Sequence, residues 1–308
     1  MHKMELTCYA GSLECLKAAL ESGADSVYVG GESFGRDTLS DDFSREDLIE
    51  GIKFAHENNK KVYVTINLLP HNKDFKEFEA YLKTLDELNV DAVIVSEAGT
   101  LITVKQILPE MKIHLSSVSN VYNYETANFW HEQGVDRVVI SRELSIKEME
   151  TMRLNTPESL ELEAYVHGPV IMSYSGRKLI TSYLESKGKD NYSSKKKYNL
   201  TEEKRQGQYS PVYEDEAGTI FFASRDLCMI EYLDKFIRAG VSTLTIEARL
   251  NDEKYVREVV PVYRKAIDDF YNNNFEYNCT EDMLETLKNA TPRKHTTGFY
   301  LDETIDYD

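Results

Sequence analysis

The 308-residue chain is short of cysteine, tryptophan and positive charge, with four Cys, one Trp, and 36 Lys and Arg against 53 Asp and Glu, a net charge of −17. Each shortage excludes something. Cys8, Cys15, Cys228 and Cys279 are scattered, without a Cys-x-x-Cys pair, so they read as reduced and mostly buried thiols rather than a disulfide framework. Cys8 and Cys15 can meet across a strand-to-helix turn, but two thiols alone make a poor metal site. No apolar run approaches the roughly 18 residues that a membrane helix needs, and Met1–Glu5 has no signal-peptide core. A cytoplasmic protein without a membrane partner is expected. The excess of acid disfavours broad contact with nucleic-acid phosphates. One segment runs the other way. Between Arg177 and Arg205, Lys178, Lys187, Lys189, Lys195, Lys196, Lys197 and Lys204 outnumber Glu185, Asp190, Glu202 and Glu203. It reads either as a solvated loop or as a local patch for RNA, with Lys195, Lys196 and Lys197 at its centre.

What is present is a recurring unit. Ser22-Gly23-Ala24-Asp25 precedes Val27-Tyr28-Val29, and Leu88-Asn89-Val90-Asp91 precedes Val93-Ile94-Val95. Gln133-Gly134-Val135-Asp136 precedes Val138-Val139-Ile140, and Ala239-Gly240-Val241-Ser242 precedes Leu244-Thr245-Ile246. Gly or Asn accepts the left-handed conformation that closes a helix, so each copy marks a helix end feeding a strand. Four further strands, Glu5–Tyr9, Lys61–Ile66, Lys112–Leu115 and Leu160–Val166, bring the total to about eight. Short Val/Ile runs alternating with helices predict an α/β fold, a (β/α)8 TIM-like barrel, with a doubly wound open sheet as the alternative. The barrel is expected to occupy residues 1–275, with a polar insertion at about 185–218 and a short C-terminal tail at 276–308.

In such a barrel, chemistry sits at the C-terminal ends of the strands. These ends carry Asn67, Ser96-Glu97, Ser116-Ser117, Ser141-Arg142-Glu143, His167-Gly168 and Glu247-Ala248-Arg249. The residues suit an anion pocket, because Arg offers bidentate recognition of carboxylate or phosphate. Alternatively, Arg142–Glu143 and Glu247–Arg249 only neutralise one another at the rim. In the pocket reading, Arg142 and His167 close consecutive strands and converge, Arg177 folds back over His167, and Glu143 holds one guanidinium. His167 can equally be a satisfied buried histidine. Proteolysis finds little support. Ser173, Ser175 and Cys228 are candidate nucleophiles with His167 as base, but there is no Gly-x-Ser-x-Gly turn and no His-Glu-x-x-His spacing.

Tyr28-Val29-Gly30-Gly31, Val64-Thr65-Ile66-Asn67, Ser141-Arg142-Glu143-Leu144, Val166-His167-Gly168, Tyr174-Ser175-Gly176-Arg177 and Ile246-Glu247-Ala248-Arg249 together resemble peptidase family U32, the collagenase-like protease group, over roughly residues 4–270. The family signature is matched at Glu163, Tyr165, His167, Gly168 and Gly176. Where it expects cysteines this chain has Ile171 and Lys178, and residues 191–210 hold none. In branches that modify RNA or hydroxylate quinone precursors, those cysteines imply an iron–sulfur cluster, which usually needs four thiolates. No iron–sulfur cluster or other cofactor is therefore expected in this chain, and no metal ligands are assigned. A short branch that shares the loss is similar at Pro211–Glu216, Asp226-Leu227-Cys228 and Thr297-Gly298-Phe299-Tyr300. The resemblance implies a subunit of prephenate-dependent 5-hydroxylation of a tRNA wobble uridine, partnered by a longer, cysteine-bearing paralogue, with tRNA and prephenate as substrates. The pocket reading takes His167 and Glu143 as catalytic and Arg142, Arg177, Asn67, Glu247 and Arg249 as substrate-binding. The family's Lys-Ile-Glu-Gly-Arg is here Thr245-Ile246-Glu247-Ala248-Arg249, so one expected cation is lost. A peptidase, or a scaffold that only stabilises its partner, are the alternatives.

Overall fold

A computed structural model describes residues 3–31, 34, 43–67, 70–188, 196–201, 203, 208–215, 218–302 and 305. The strands are β1 (Glu5–Ala10), β2 (Ser26–Gly30), β3 (Lys61–Thr65), β4 (Ala92–Val95), β5 (Ile113–Leu115) and β6 (Arg137–Val139). They continue as β7 (Glu161–Ser175), β8 (Lys196–Thr201), β9 (Tyr209–Asp215), β10 (Gly218–Cys228), β11 (Thr243–Ile246) and β12 (His295–Thr296). The helices are α1 (Leu13–Glu21), α2 (Arg45–Glu57), α3 (Phe75–Glu87), α4 (Ala98–Ile107) and α5 (Tyr124–Glu132). After them come α6 (Ile146–Leu154), α7 (Leu179–Ser186), α8 (Leu233–Arg238), α9 (Glu253–Asn272) and α10 (Glu281–Ala290).

Strands β1 to β7 pair in parallel in chain order, β7 pairs with β11, and β11 returns to β1. The result is the closed eight-stranded parallel barrel that the repeats predict. Gly23, Asn89, Gly134 and Gly240 all adopt positive φ, between 57° and 107°, so the helix stops lie where the repeats put them. The polar residue closing each copy has a second task. Carboxylate oxygens of Asp25, Asp91 and Asp136 accept the amides of Leu6, Val62 and Ile113 at 2.9, 2.8 and 2.8 Å, and Ser242 Oγ accepts that of Leu162 at 3.1 Å. Amides of the first or second strand residue along the N-terminal rim are thereby satisfied, and neighbouring strands are held in register.

The two faces of these strands differ. Outward residues such as Leu6, Val27, Val64, Val93, Leu115 and Leu162 are fully buried under the helices and form the main apolar core. Inward residues are aromatic or polar: Tyr9, Tyr28 and Tyr63 cluster with Ala92 and Ile94, and Arg137 and Glu163 are buried with them.

From His167 onward β7 leaves the barrel and pairs antiparallel with β10, which pairs with β9, and β9 with β8. This arm stands over one side of the barrel mouth, and of the polar stretch 185–218 the described strands β8 and β9 form its outer part. Glu214 anchors the arm: its carboxylate accepts the amides of Ile180 (2.7 Å) and Thr181 (2.9 Å) at the start of α7 and the Thr219 hydroxyl at 2.7 Å. The tail packs back on the barrel. Helix α10 lies on α9, β12 pairs with β10, Arg293 bonds Asp226 at 2.6 Å, and buried Tyr300 accepts the Ile146 amide at 3.0 Å. The described residues of the motifs, Pro211–Asp215, Asp226–Cys228 and Thr297–Tyr300, therefore carry architecture, and Glu216 lies outside the described residues. Among the described residues no helix is long and apolar enough to cross a membrane.

Candidate functional site

At the C-terminal ends of the strands lies a cavity of about 470 Å³. Its floor is Tyr9, Tyr28 and Ile94, its rim includes Asn67, Ser96, Ser116 and Ser141, and the arm supplies Ile171 to Tyr174 as one wall. Two guanidiniums face into it. Arg142 lies 3.9 Å above the centre of the Tyr165 ring, and Arg249 lies 4.2 Å above that of Tyr9. Stacking of this kind fixes the plane of a flat cation, and a guanidinium so held can fork onto an anion. Arg142 Nη1 reaches the Ile171 carbonyl at 3.4 Å, whereas its Nε is buried without a partner among the described residues. Ser96 Oγ is likewise buried and unpaired. An unpaired buried donor costs about 1–3 kcal/mol, so both point to a ligand or water in the cavity.

The predicted site residues divide. Asn67, Arg142, Glu143 and Arg249 line the cavity. Glu143 is exposed and accepts the Tyr122 hydroxyl, rather than holding a guanidinium. Glu247 is fully buried behind the mouth, and its Oε1 holds Arg249 Nε at 3.1 Å, making it the positioning carboxylate. Arg177 is exposed at the turn into α7 and does not fold back over His167. His167, expected at the mouth, is fully buried outside the barrel wall against α9. Its Nδ1 meets the Tyr263 hydroxyl at 3.1 Å, and its ring packs on Tyr255, Tyr263 and His295. The cause is a bulge. Thr245 pairs with Tyr165 but Ile246 pairs with His167, so Val166 is an extra residue and the inside–outside alternation inverts. Gly168 follows at φ 101°, where a Cβ would lie 2.1 Å from the Glu247 carbonyl oxygen. Of the basic patch, Lys195 lies outside the described residues, as does the Lys196 side chain, while Lys197 is exposed on β8 beside the Tyr213 ring.

Burial holds the His167 imidazole well below its usual pKa, so it stays neutral, and burial pushes the Cys228 thiol up to about 12. Neither is the activated partner of a hydrolytic pair, and the described hydrogen bonds join His167 to no serine. Among the described residues no group of three or more His, Cys, Asp or Glu could hold a metal ion.

Below the cavity floor is a network that sequence reasoning did not assemble. Arg137 is 2% exposed and binds Glu5 at 2.9 Å, Glu161 at 2.5 Å and Glu163 at 3.4 Å. Burial opposes ionisation of Glu5, but the Arg137 charge and hydrogen bonds from Arg137, Ser26 and Tyr63 outweigh it and hold the carboxyl down at about 2. Fully buried Glu163 is raised by desolvation despite Arg137, and accepts the Tyr28 hydroxyl and Thr245 Oγ1, the latter at 2.7 Å. The available signal was period two: Glu161, Glu163 and Tyr165 alternate with apolar residues along β7.

Known proteins agree with this architecture. The model of peptidase family U32 matches residues 11–306. The chain belongs to peptidase family U32. This U32 protein is 34% identical to tRNA hydroxylation protein P2 of Bacillus subtilis, over 99% of this chain and 100% of that one. It is 33% identical to tRNA hydroxylation protein P1 of the same organism, over 97% of this chain but 71% of the relative. The solved structure of the U32 peptidase Mk0906 superimposes with a TM-score of 0.52 at 15% identity, covering 80% of this chain and 94% of that one, a likeness of fold.

Proposed function

We propose that this U32 protein is a subunit of tRNA wobble-uridine 5-hydroxylation that binds a small dicarboxylate, prephenate, at the barrel mouth. The observation that carries the reading is the pair of guanidiniums stacked on Tyr165 and Tyr9 in a cavity rimmed by hydroxyls. Two oriented cations lining one cavity suit a ligand with two carboxylates better than a peptide, and Arg142 Nε, buried with no partner among the described residues, supplies a donor. Relatives named for tRNA hydroxylation, matched along almost the whole chain, support the substrate class. The relative of which this chain covers only 71% supports a longer paralogue as partner. Ile171 and Lys178 at expected cysteine positions support a chain without its own iron–sulfur cluster, the cluster belonging to the partner. In this reading Glu143, Arg142, Arg249 and Asn67 face the ligand, Glu247 positions Arg249, and tRNA approaches along the arm that carries Lys195, Lys196 and Lys197.

The test is genetic and chemical together. Deletion of the gene in its native host is expected to lower 5-hydroxyuridine in tRNA, measured by mass spectrometry, and wild type restores it while Arg142→Ala does not. Unchanged hydroxyuridine in the deletion strain, with the longer paralogue also removed, contradicts the substrate assignment. Near-stoichiometric iron and sulfide in the purified chain after anaerobic reconstitution contradicts the absence of a cluster.

A further inference from the structure

Two pockets lie at opposite ends of the barrel, and contacts of Tyr28 join them. Tyr28 lines the mouth cavity. His114 lines a second pocket of about 220 Å³ at the N-terminal end, beside Lys61, Asp91, Lys112 and Asp136. The Tyr28 hydroxyl sits 3.1 Å from His114 Nδ1 and donates to Glu163 Oε2. Glu163 is fully buried, with Arg137 of β6 at 3.4 Å, Thr245 of β11 at 2.7 Å, Glu5 of β1 beyond Arg137, and Tyr165 two residues on along its own strand. One carboxylate is thus placed one tyrosine away from the mouth cavity and one or two side chains, Arg137 or Tyr28 and His114, away from the pocket at the other end.

We propose that Glu163 and Tyr28 form a proton-delivery pair: a carboxylate-bearing ligand at the mouth drives a proton onto Glu163, and Tyr28 passes it to the ligand. The inference rests on the mouth being an anion site. The step balances. The Tyr28 O–H proton moves to a ligand oxygen as the Glu163 O–H proton moves to the Tyr28 oxygen, leaving Glu163 as carboxylate against Arg137. No electron is exchanged, and the proton is replaced from water in the opposite pocket through His114. The physical basis is like-charge repulsion. Burial already disfavours the ionised Glu163, and a bound anion above Tyr28 disfavours it further. Protonation relieves that repulsion, so binding and proton uptake are linked, and affinity falls by up to about tenfold per pH unit of rise for a whole coupled proton.

The probe is oxalate, a dicarboxylate fully ionised near neutral pH, titrated calorimetrically in two buffers of different ionisation enthalpy. Wild type is expected to bind it with uptake of a fraction of a proton, and Glu163→Gln to bind it with none. Should Glu163→Gln fail to fold, infrared difference spectra of wild type decide instead: a protonated-carboxyl band appears on oxalate binding and shifts in Tyr28→Phe. Binding without uptake, or uptake unchanged in Glu163→Gln, overturns the pair while leaving the anion site standing. Failure of oxalate to bind overturns the anion site, and the pair with it.

Discussion

The outer and inner faces of the barrel strands are equally buried but held by different forces. Outside, Leu6, Val27, Val64, Val93 and Leu162 meet the helices through apolar contact, where shape and volume matter and no group is charged. Inside, Tyr28, His114, Arg137, Glu5 and Glu163 fill the axis, and each depends on a named partner at a named atom. The outer face supplies non-directional stability, whereas the inner face gives up that tolerance to keep ionisable groups dry beneath a ligand cavity.

The largest expected effect breaks the inner face. Arg137→Met strands Glu5 and Glu163 without their cation and should destabilise the fold by about 4 kcal/mol in denaturant titration. Adding Glu163→Gln to that variant should recover part of the loss, because one uncompensated buried charge goes with it. Leu162→Ala on the outer face should cost about 3 kcal/mol through lost burial and a residual cavity, while Leu162→Met costs less than about 1.5 kcal/mol. No comparably gentle replacement of Arg137 is expected, and finding one would erase the contrast.

A pH scan sharpens the comparison further. Burial, with Lys288 adding to it, depresses His295 to about 4, and burial and His295 depress His167. A histidine held below its unfolded pKa contributes stability that is complete above that pKa and drains away as pH falls through it. Wild type should therefore lose stability below about pH 6.5, and His295→Gln should flatten the loss by up to about 1.4 kcal/mol per pH unit. Raised Glu163 and Asp226 work in the opposite sense, so the difference between variants carries more information than the absolute slope.

Much of the fold was legible because its determinants are local. Gly23, Asn89, Gly134 and Gly240 stop helices by their own backbone preference, and the following Val-rich runs specify strands without reference to distant residues. Arg142 and Arg249 were placed at the mouth because each follows directly on a regular strand end. His167 was misplaced because a single extra residue, Val166, inverts the alternation, and a bulge depends on pairing with β11 far along the chain. The Arg137 network was missed for a related reason. It joins β1, β2, β5, β6 and β7 across the closed barrel, and sequence spacing, which marks the strands and their inward residues, does not say which of those residues meet.

The claim that the mouth is a dicarboxylate site is tested most directly by calorimetric titration of prephenate against wild type, Arg142→Ala and Arg249→Ala. A charge-assisted bidentate contact contributes about 1.5–3 kcal/mol, so each variant should bind roughly tenfold to a hundredfold more weakly, with thermal stability retained. Binding of equal strength in all three proteins, or no binding to wild type at millimolar prephenate, would contradict it.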